Sequence, residues 1–447
     1  MMNCILMAQN VGIGTNQPQT RLHVEQGNVL FKGPALFPAT PGSLPVSGAG
    51  VRLLWYPGKA AFRAGVVTGS EWDADSIGNF SVAMGESSKA SANGTVAMGI
   101  GTIASGYAAI SFGFSCNAAG FGSLAMGNGA IAYGSDAVSI GTANRAMATN
   151  AVAIGVGNQA TGIESIAMGS LNTGEGARAV ALGSENAAAG YRSIAIGTDS
   201  RASGEYAIVL GNSSIASANY AFSIGNSVTA SGANSVSLGN YASTSGYAGA
   251  FALGDASTTA VMQSFVANGF RARFAGGYRL FTNSAVTIGA FLNANANSWA
   301  ALSDVRMKEN FLPVNGEVIL QKIAAMPQYT WNYIGQDVAT LRHYGPMAQD
   351  FYQAFGRDGL GEIGCDTLIN QQDFLGVSYV AIQTLEKRTT QLSTENTLLK
   401  NKLTILENAN KKLADKVVML SENFEAVLRS LQEQAANKTI TSTQLVE

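Results

Sequence analysis

The sequence predicts a mainly β chain: a solenoid of fourteen-residue rungs, then a β-rich connector, then a C-terminal coiled coil. Three observations predict it. Glycine returns at 85, 99, 113, 127, 141, 155, 169, 183, 197, 211, 225 and 239 without a miss. Around each of these glycines, large apolar and small residues alternate with period two, the signature of a short strand. From residue 382 a seven-residue apolar repeat replaces that pattern. A short fixed period over twelve units means that each unit stacks on its neighbours.

The chain opens on MMNCILMAQ, too short and too poor in basic residues for a complete secretory signal, yet residues 1–10 read as the tail of one. Residues 11–80 are expected to form a β region that caps the solenoid. NVGIGTNQPQTRLHVEQG reads as two short strands about a polar turn. GVRLLWYPGKAAFRAG, with Trp55, Tyr56 and Phe62, covers the first rung, because an open solenoid end exposes unpaired strand edges. These aromatics could also bind a glycan, but capping is the stronger expectation.

Residues 81–255 carry the rungs, from SVAMGESSKASANG to SVSLGNYASTSGYA. Val82 and Met84, Ile166 and Met168, or Phe222 and Ile224 flank an Ala or Ser, and a small-residue piece such as KASA makes a second strand of comparable length. Such a rung encloses a thin core, so a lone coil is marginal, and the small residues are expected to let neighbouring copies approach closely. The recurring SVAMG, AVAIG, SIAIG and SVSLG, each followed by a polar stretch and an A-x-G turn, resemble the head repeats of trimeric autotransporter adhesins. That resemblance implies a left-handed parallel β-roll, a homotrimeric fibre, and display on a cell surface or secretion.

Composition narrows the function. Net charge is −2, and within 81–248 Lys89, Arg145, Arg178, Arg192 and Arg201 face seven carboxylates, so no basic groove is available for nucleic acid. No apolar run is long enough to be a transmembrane segment. Cys4, Cys116 and Cys365 are too far apart for a zinc site or a disulfide framework, and Cys116 reads as a core filler. His23 and His343 read as structural. No metal and no cofactor is expected.

Residues 256–300 form the connector, where the period is lost and apolar and polar residues alternate between Gly and Asn turns. ALSDVRMKENF follows, in which Ser303 and Lys308 are five apart. On a helix they diverge and on a strand they take opposite faces, so they meet only across a turn. On residue pattern alone Ser303 or Asp304 is a helix N-cap and Lys308 a solvated side chain. SDVRMKEN, QYTWNY and YGPMAQDFYQAFG, leading into a helix, together resemble the peptidase S74 family, the C-terminal intramolecular chaperones of phage tailspikes and fibres. The resemblance implies a small α+β chaperone domain over 301–381 that cuts itself once, at Leu302–Ser303, with Ser303 as nucleophile and Lys308 as its base. Pro346 departs from the family pattern, which has a bulky apolar residue there.

Residues 382–431 are expected to form the coiled coil. Leu385, Leu392, Leu399, Leu406, Leu413, Leu420 and Val427 occupy one seam position; Ile382, Thr389, Asn396, Leu403, Asn410, Val417, Phe424 and Leu431 occupy the other. Asn396 and Asn410 read as register locks, and residues 432–447 as a polar tail. Three function classes follow. The first is a trimeric fibre with an adhesin-like head that meets a host-surface protein or glycan. The second is a phage tail fibre of the same plan, carried on the virion, or a spacer without ligand. The third, a glycan-degrading enzyme, ranks lowest, because Glu86, Asp136, Glu164, Glu175, Glu185, Asp199 and Glu205 are scattered rather than paired at one site.

Overall fold

The computed structural model describes residues 10–443, with side chains to 438. The segment read as a signal remnant, with Cys4, lies outside the described residues apart from Asn10. The chain divides into two compact units, 1–302 and 303–447.

The first unit is a β-solenoid built on two parallel sheets, one of sixteen strands and one of thirteen, the longer also including the N-terminal hairpin. Each rung gives a five-residue strand to the first, such as Val82–Glu86, and a two-residue strand to the second, such as Lys89–Ala90. The two strands are therefore unequal, not the similar pair expected, because the polar turns take up the remaining residues. Successive rungs pair in register fourteen residues apart, so Val82 lies beside Val96 and Gly85 beside Gly99.

The inside of the coil reverses the expected use of side chains. Ala83, Ala97, Ala125, Ala153 and Ala181 on the long strands, and Ala90, Ala104 and Ala118 on the short ones, are wholly buried. The large residues on either side of the inward Ala or Ser point outward: Ile110 and Phe112 beside Ser111, Met126 beside Ala125 and Met168 beside Ala167 are 42, 47, 38 and 38% exposed. Mostly small groups lie between the two sheets, although Val209 and Val228 are also wholly buried. A buried methyl-sized group stabilises by roughly 0.8 kcal/mol, so the backbone ladder and the outward apolar columns matter more here than the core. The small residues of the strands thus line the interior of the coil, not the outer face expected from the sequence.

The glycine column has a steric origin. Gly85 has φ +108°, and a Cβ there would lie 2.0 Å from the carbonyl oxygen of Gly99 in the next rung. Polar side chains sit beside the alanines. Asn144, Asn158, Asn172 and Asn186 form a buried ladder in which each Oδ1 accepts from the next asparagine's backbone N–H and Nδ2, at 2.9–3.0 Å. Cys116 occupies the same column, buried and unbridged.

At the N-terminal end, Gly50–Tyr56 and Ala61–Val67 form an antiparallel hairpin whose second strand pairs with the first rung. Trp72 is buried against the first rungs, its Nε1 donating to Ser88 O at 2.8 Å. Arg63 takes an inward alanine position. It is fully buried, donating to Ser81 Oγ, Ser81 O and Ala90 O, and burial lowers its pKa to about 10. Beyond residue 248 the sheet outlasts the sequence period. Phe251–Gly254 and Phe270–Arg273 add two rungs at spacings of fifteen and nineteen, so the first part of the connector extends the solenoid. A three-stranded antiparallel sheet, Gly277–Phe281, Gly289–Asn293 and Ala300–Ala301, completes the unit.

The second unit is a small α+β region with a long helix. Helix α1 (Gly316–Ala325) is capped by Asn315, whose Oδ1 accepts from Glu317 N and Val318 N. Tyr329–Trp331 pairs with His343–Gly345, and that strand ends just before Pro346. Helix α2 (Ala348–Phe355) buries Phe351 and Phe355. Helix α3 (Gln371–Thr443) spans about 110 Å at 1.5 Å per residue, and it runs on through most of the segment read as a polar tail. Helix α1 packs on α3 at Gly316, where a Cβ would lie 1.9 Å from Thr384 Oγ1. No helix among the described residues is long and apolar enough to cross a membrane.

Candidate functional site

The second unit starts with the site. Asp304 is extended, Val305–Met307 forms one 3-10 turn, and Lys308 is extended again. That single turn is what a five-residue spacing needs: Lys308 Nζ donates to Ser303 Oγ at 2.7 Å. Asp304 caps the turn, its Oδ1 accepting from Arg306 N at 2.9 Å and from Arg306 Nε at 3.0 Å. The Arg306 side-chain hydrogen bond holds the Asp304 carboxyl below its usual range, and the same contact raises Arg306.

This arrangement brings together both site residues named from the sequence, Ser303 and Lys308, at the first peptide of the unit. The Asp304–Arg306 fork was not anticipated. Its signal was an acid and a base two apart between the two, which becomes meaningful only once the turn is known. Ser303 and Lys308 are both exposed to solvent. As long as the amine is protonated it can only donate to the hydroxyl. A lysine withdrawn from water favours its neutral form and can then accept the serine proton.

The other titratable residues do not converge. Among the described residues no group of three or more His, Cys, Asp or Glu could hold a metal. His343 stacks on Trp331 at 4.6 Å in the two-stranded sheet, and Gln19 N donates to His23 Nδ1 at 3.4 Å. Trp55 and Phe62 are cross-strand partners in the capping hairpin.

Comparison with known families agrees with both units. Residues 76–102, 118–144, 148–172, 175–200 and 202–227 match the YadA head domain repeat, and residues 303–360 match the chaperone of endosialidase, Peptidase S74. The intervening 103–117 lies outside the matches, yet its strand Ile110–Phe114 pairs in the same register as its neighbours. No curated protein matches the chain. The second match begins at Ser303, the residue at which the second compact unit begins. The matches show YadA head repeats within 76–227, followed by a chaperone-of-endosialidase domain at 303–360.

Proposed function

We propose that this chain forms a homotrimeric surface fibre whose head meets a host-surface ligand, and whose C-terminal domain guides assembly and then severs itself at Leu302–Ser303. The observation that carries the cleavage is the 2.7 Å contact between Lys308 Nζ and Ser303 Oγ. Ser303 Oγ attacks the carbonyl carbon of Leu302 while the neutral amine of Lys308 takes its proton. The C–N bond breaks, the Ser303 nitrogen leaves as a free amine carrying a proton, and the acyl group is held as an ester on Oγ. Water then hydrolyses that ester, leaving the Leu302 carboxylate and restoring the hydroxyl. The reaction runs once per chain.

Exposure of the dyad in the single chain supports a dependence on assembly, since packing between chains would supply the cover that the dyad lacks. The uncovered apolar residues support the assembly itself: Leu392, Leu399, Leu406 and Leu413 on α3 are 57–61% exposed in the single chain. The test is a denaturing gel with N-terminal sequencing. Wild-type protein should yield a fragment beginning at Ser303, and hydroxylamine should trap the ester as a Leu302 hydroxamate. Ser303→Ala and Lys308→Ala should leave the chain whole while still assembling. Cleavage that survives Ser303→Ala removes the proposed nucleophile, and an uncut wild-type trimer reduces the domain to an assembly module.

A further inference from the structure

One edge of the solenoid carries side chains that neither the core nor the proposed cleavage uses. The turn before each long strand repeats with the rungs. Five successive turns place Glu164, Arg178, Arg192, Tyr206 and Tyr220 in one column, spaced by about 4.8 Å, the separation of neighbouring strands. Tyr206 stacks on Tyr220 with centroids 5.1 Å apart and planes 3° apart. Tyr191, one residue before the column, meets Tyr206 edge-on at 5.6 Å. The guanidinium of Arg192 lies over both Tyr191 and Tyr206, at 5.1 and 5.7 Å.

Charge is unevenly satisfied along the column. Arg178 pairs with Glu164 at 2.7 Å and donates to Tyr191 Oη at 3.3 Å. Arg192 has no ion-pair partner among the described residues, and the stacking rings restrain it in an exposed position. Tyr220 is 56% exposed, and its ring stacks on Tyr206. The column also has a conformational cost. Arg192, Tyr206 and Tyr220 have φ of 53°, 56° and 57°, a region that bulky side chains rarely adopt and that Gly122 fills in an earlier rung of the same column.

We propose that this edge binds a carboxylate-bearing glycan chain, with Arg192 taking a carboxylate and the exposed ring of Tyr220, two rungs or roughly 10 Å along the column, taking the apolar face of a sugar further along that chain. A guanidinium restrained beside aromatic rings is prepared for two parallel hydrogen bonds to a carboxylate. Tyrosine combines an apolar face with a hydroxyl that reaches ring oxygens and hydroxyls. A neutral polymer would leave Arg192 unpaired, and a bare small anion would leave the ring faces uncovered. The proposal rests on the reading of the head as a ligand-binding fibre and names the class of that ligand.

The test uses the full chain in affinity electrophoresis through gels holding polygalacturonate, with dextran as the neutral control. Wild-type protein should be retarded by polygalacturonate and not by dextran. Arg192→Gln and Tyr220→Ala should each weaken that retardation by about tenfold, while light scattering stays at the wild-type value and circular dichroism shows the fold kept, because each change removes only an exposed side chain and its ring contact. Retardation that is unchanged in both variants, equal retardation by dextran, or none with wild type would overturn the site. So would protection of Tyr220 from iodination in the assembled protein, which would show a neighbouring copy covering the edge. Each of those results leaves assembly and cleavage intact, so a failure here is distinguishable from a failure of the fibre reading.

Discussion

Asn158 shows how much one residue can matter inside a coil lined by methyl groups. Its Oδ1 accepts from the backbone N–H and Nδ2 of Asn172, and its own Nδ2 donates to Asn144 Oδ1, Ile154 O and Gly169 O. Asn158→Ala would leave the buried backbone N–H of Asn172 without its acceptor, a loss of about 1–3 kcal/mol, while Asn172 Nδ2 keeps Met168 O and Gly183 O. Asn158→Ser should recover part of it, since Ser200 and Ser214 serve the same column. Urea titration of the two variants checks this, and an alanine variant as stable as wild type would show the ladder to be energetically silent. Ser303 and Lys308 differ from Asn158 in kind. They are exposed and contribute little to packing, and their interest lies in the one contact between them.

At the scale of the element, the rung is the unit of replacement. Removing 151–164 should shorten the fibre and leave it folded, because Val138 would then pair with Ile166 as it now pairs with Val152. Removing 151–157 moves the alanine and the outward apolar columns out of register and should abolish assembly. Equal melting temperatures for the two deletions would show that fourteen residues is not the physical unit. The last rungs hold a separate switch. Ala275 N donates to Asp255 Oδ2, Ser257 and Arg273 donate to Oδ1, and together they hold the Asp255 carboxyl at about 2 instead of 3.8. A carboxyl depressed by folding stabilises above its unfolded pKa, and that stability fades as pH falls from about 4 to about 2. Hydrogen exchange of 255–275 should quicken over that window, and Asp255→Asn should flatten the response.

The whole molecule presents two long apolar surfaces that its own chain does not cover, the outward columns of the rungs and the seam of α3. Surfaces of that extent fit the contacts between chains that the proposed fibre requires. Light scattering of the full chain should give three times the chain mass, and a stable folded monomer would remove the fibre reading. Replacing Leu399 and Leu406 with Asp should lower the mass and suppress cleavage together, because the dyad would stay in water. Cleavage in a monomeric variant would separate the chemistry from assembly.

Much of this was legible in the sequence because it is periodic. The glycine repeat determined the rung and its register, since a β-carbon at that position meets the carbonyl of the next rung wherever it occurs. The leucine heptads determined a helix beyond residue 382, and the spacing of Ser303 and Lys308 required a turn. The tertiary structure alone decided which face is inside. Period two assigns alternate residues to opposite faces and does not say which is buried; the narrow gap between the sheets selects alanine and turns valine, isoleucine and methionine outward. It also decided the asparagine ladder, the plug of Arg63 and the column from Glu164 to Tyr220. Those depend on residues fourteen or more apart becoming neighbours, and only stacking brings them together.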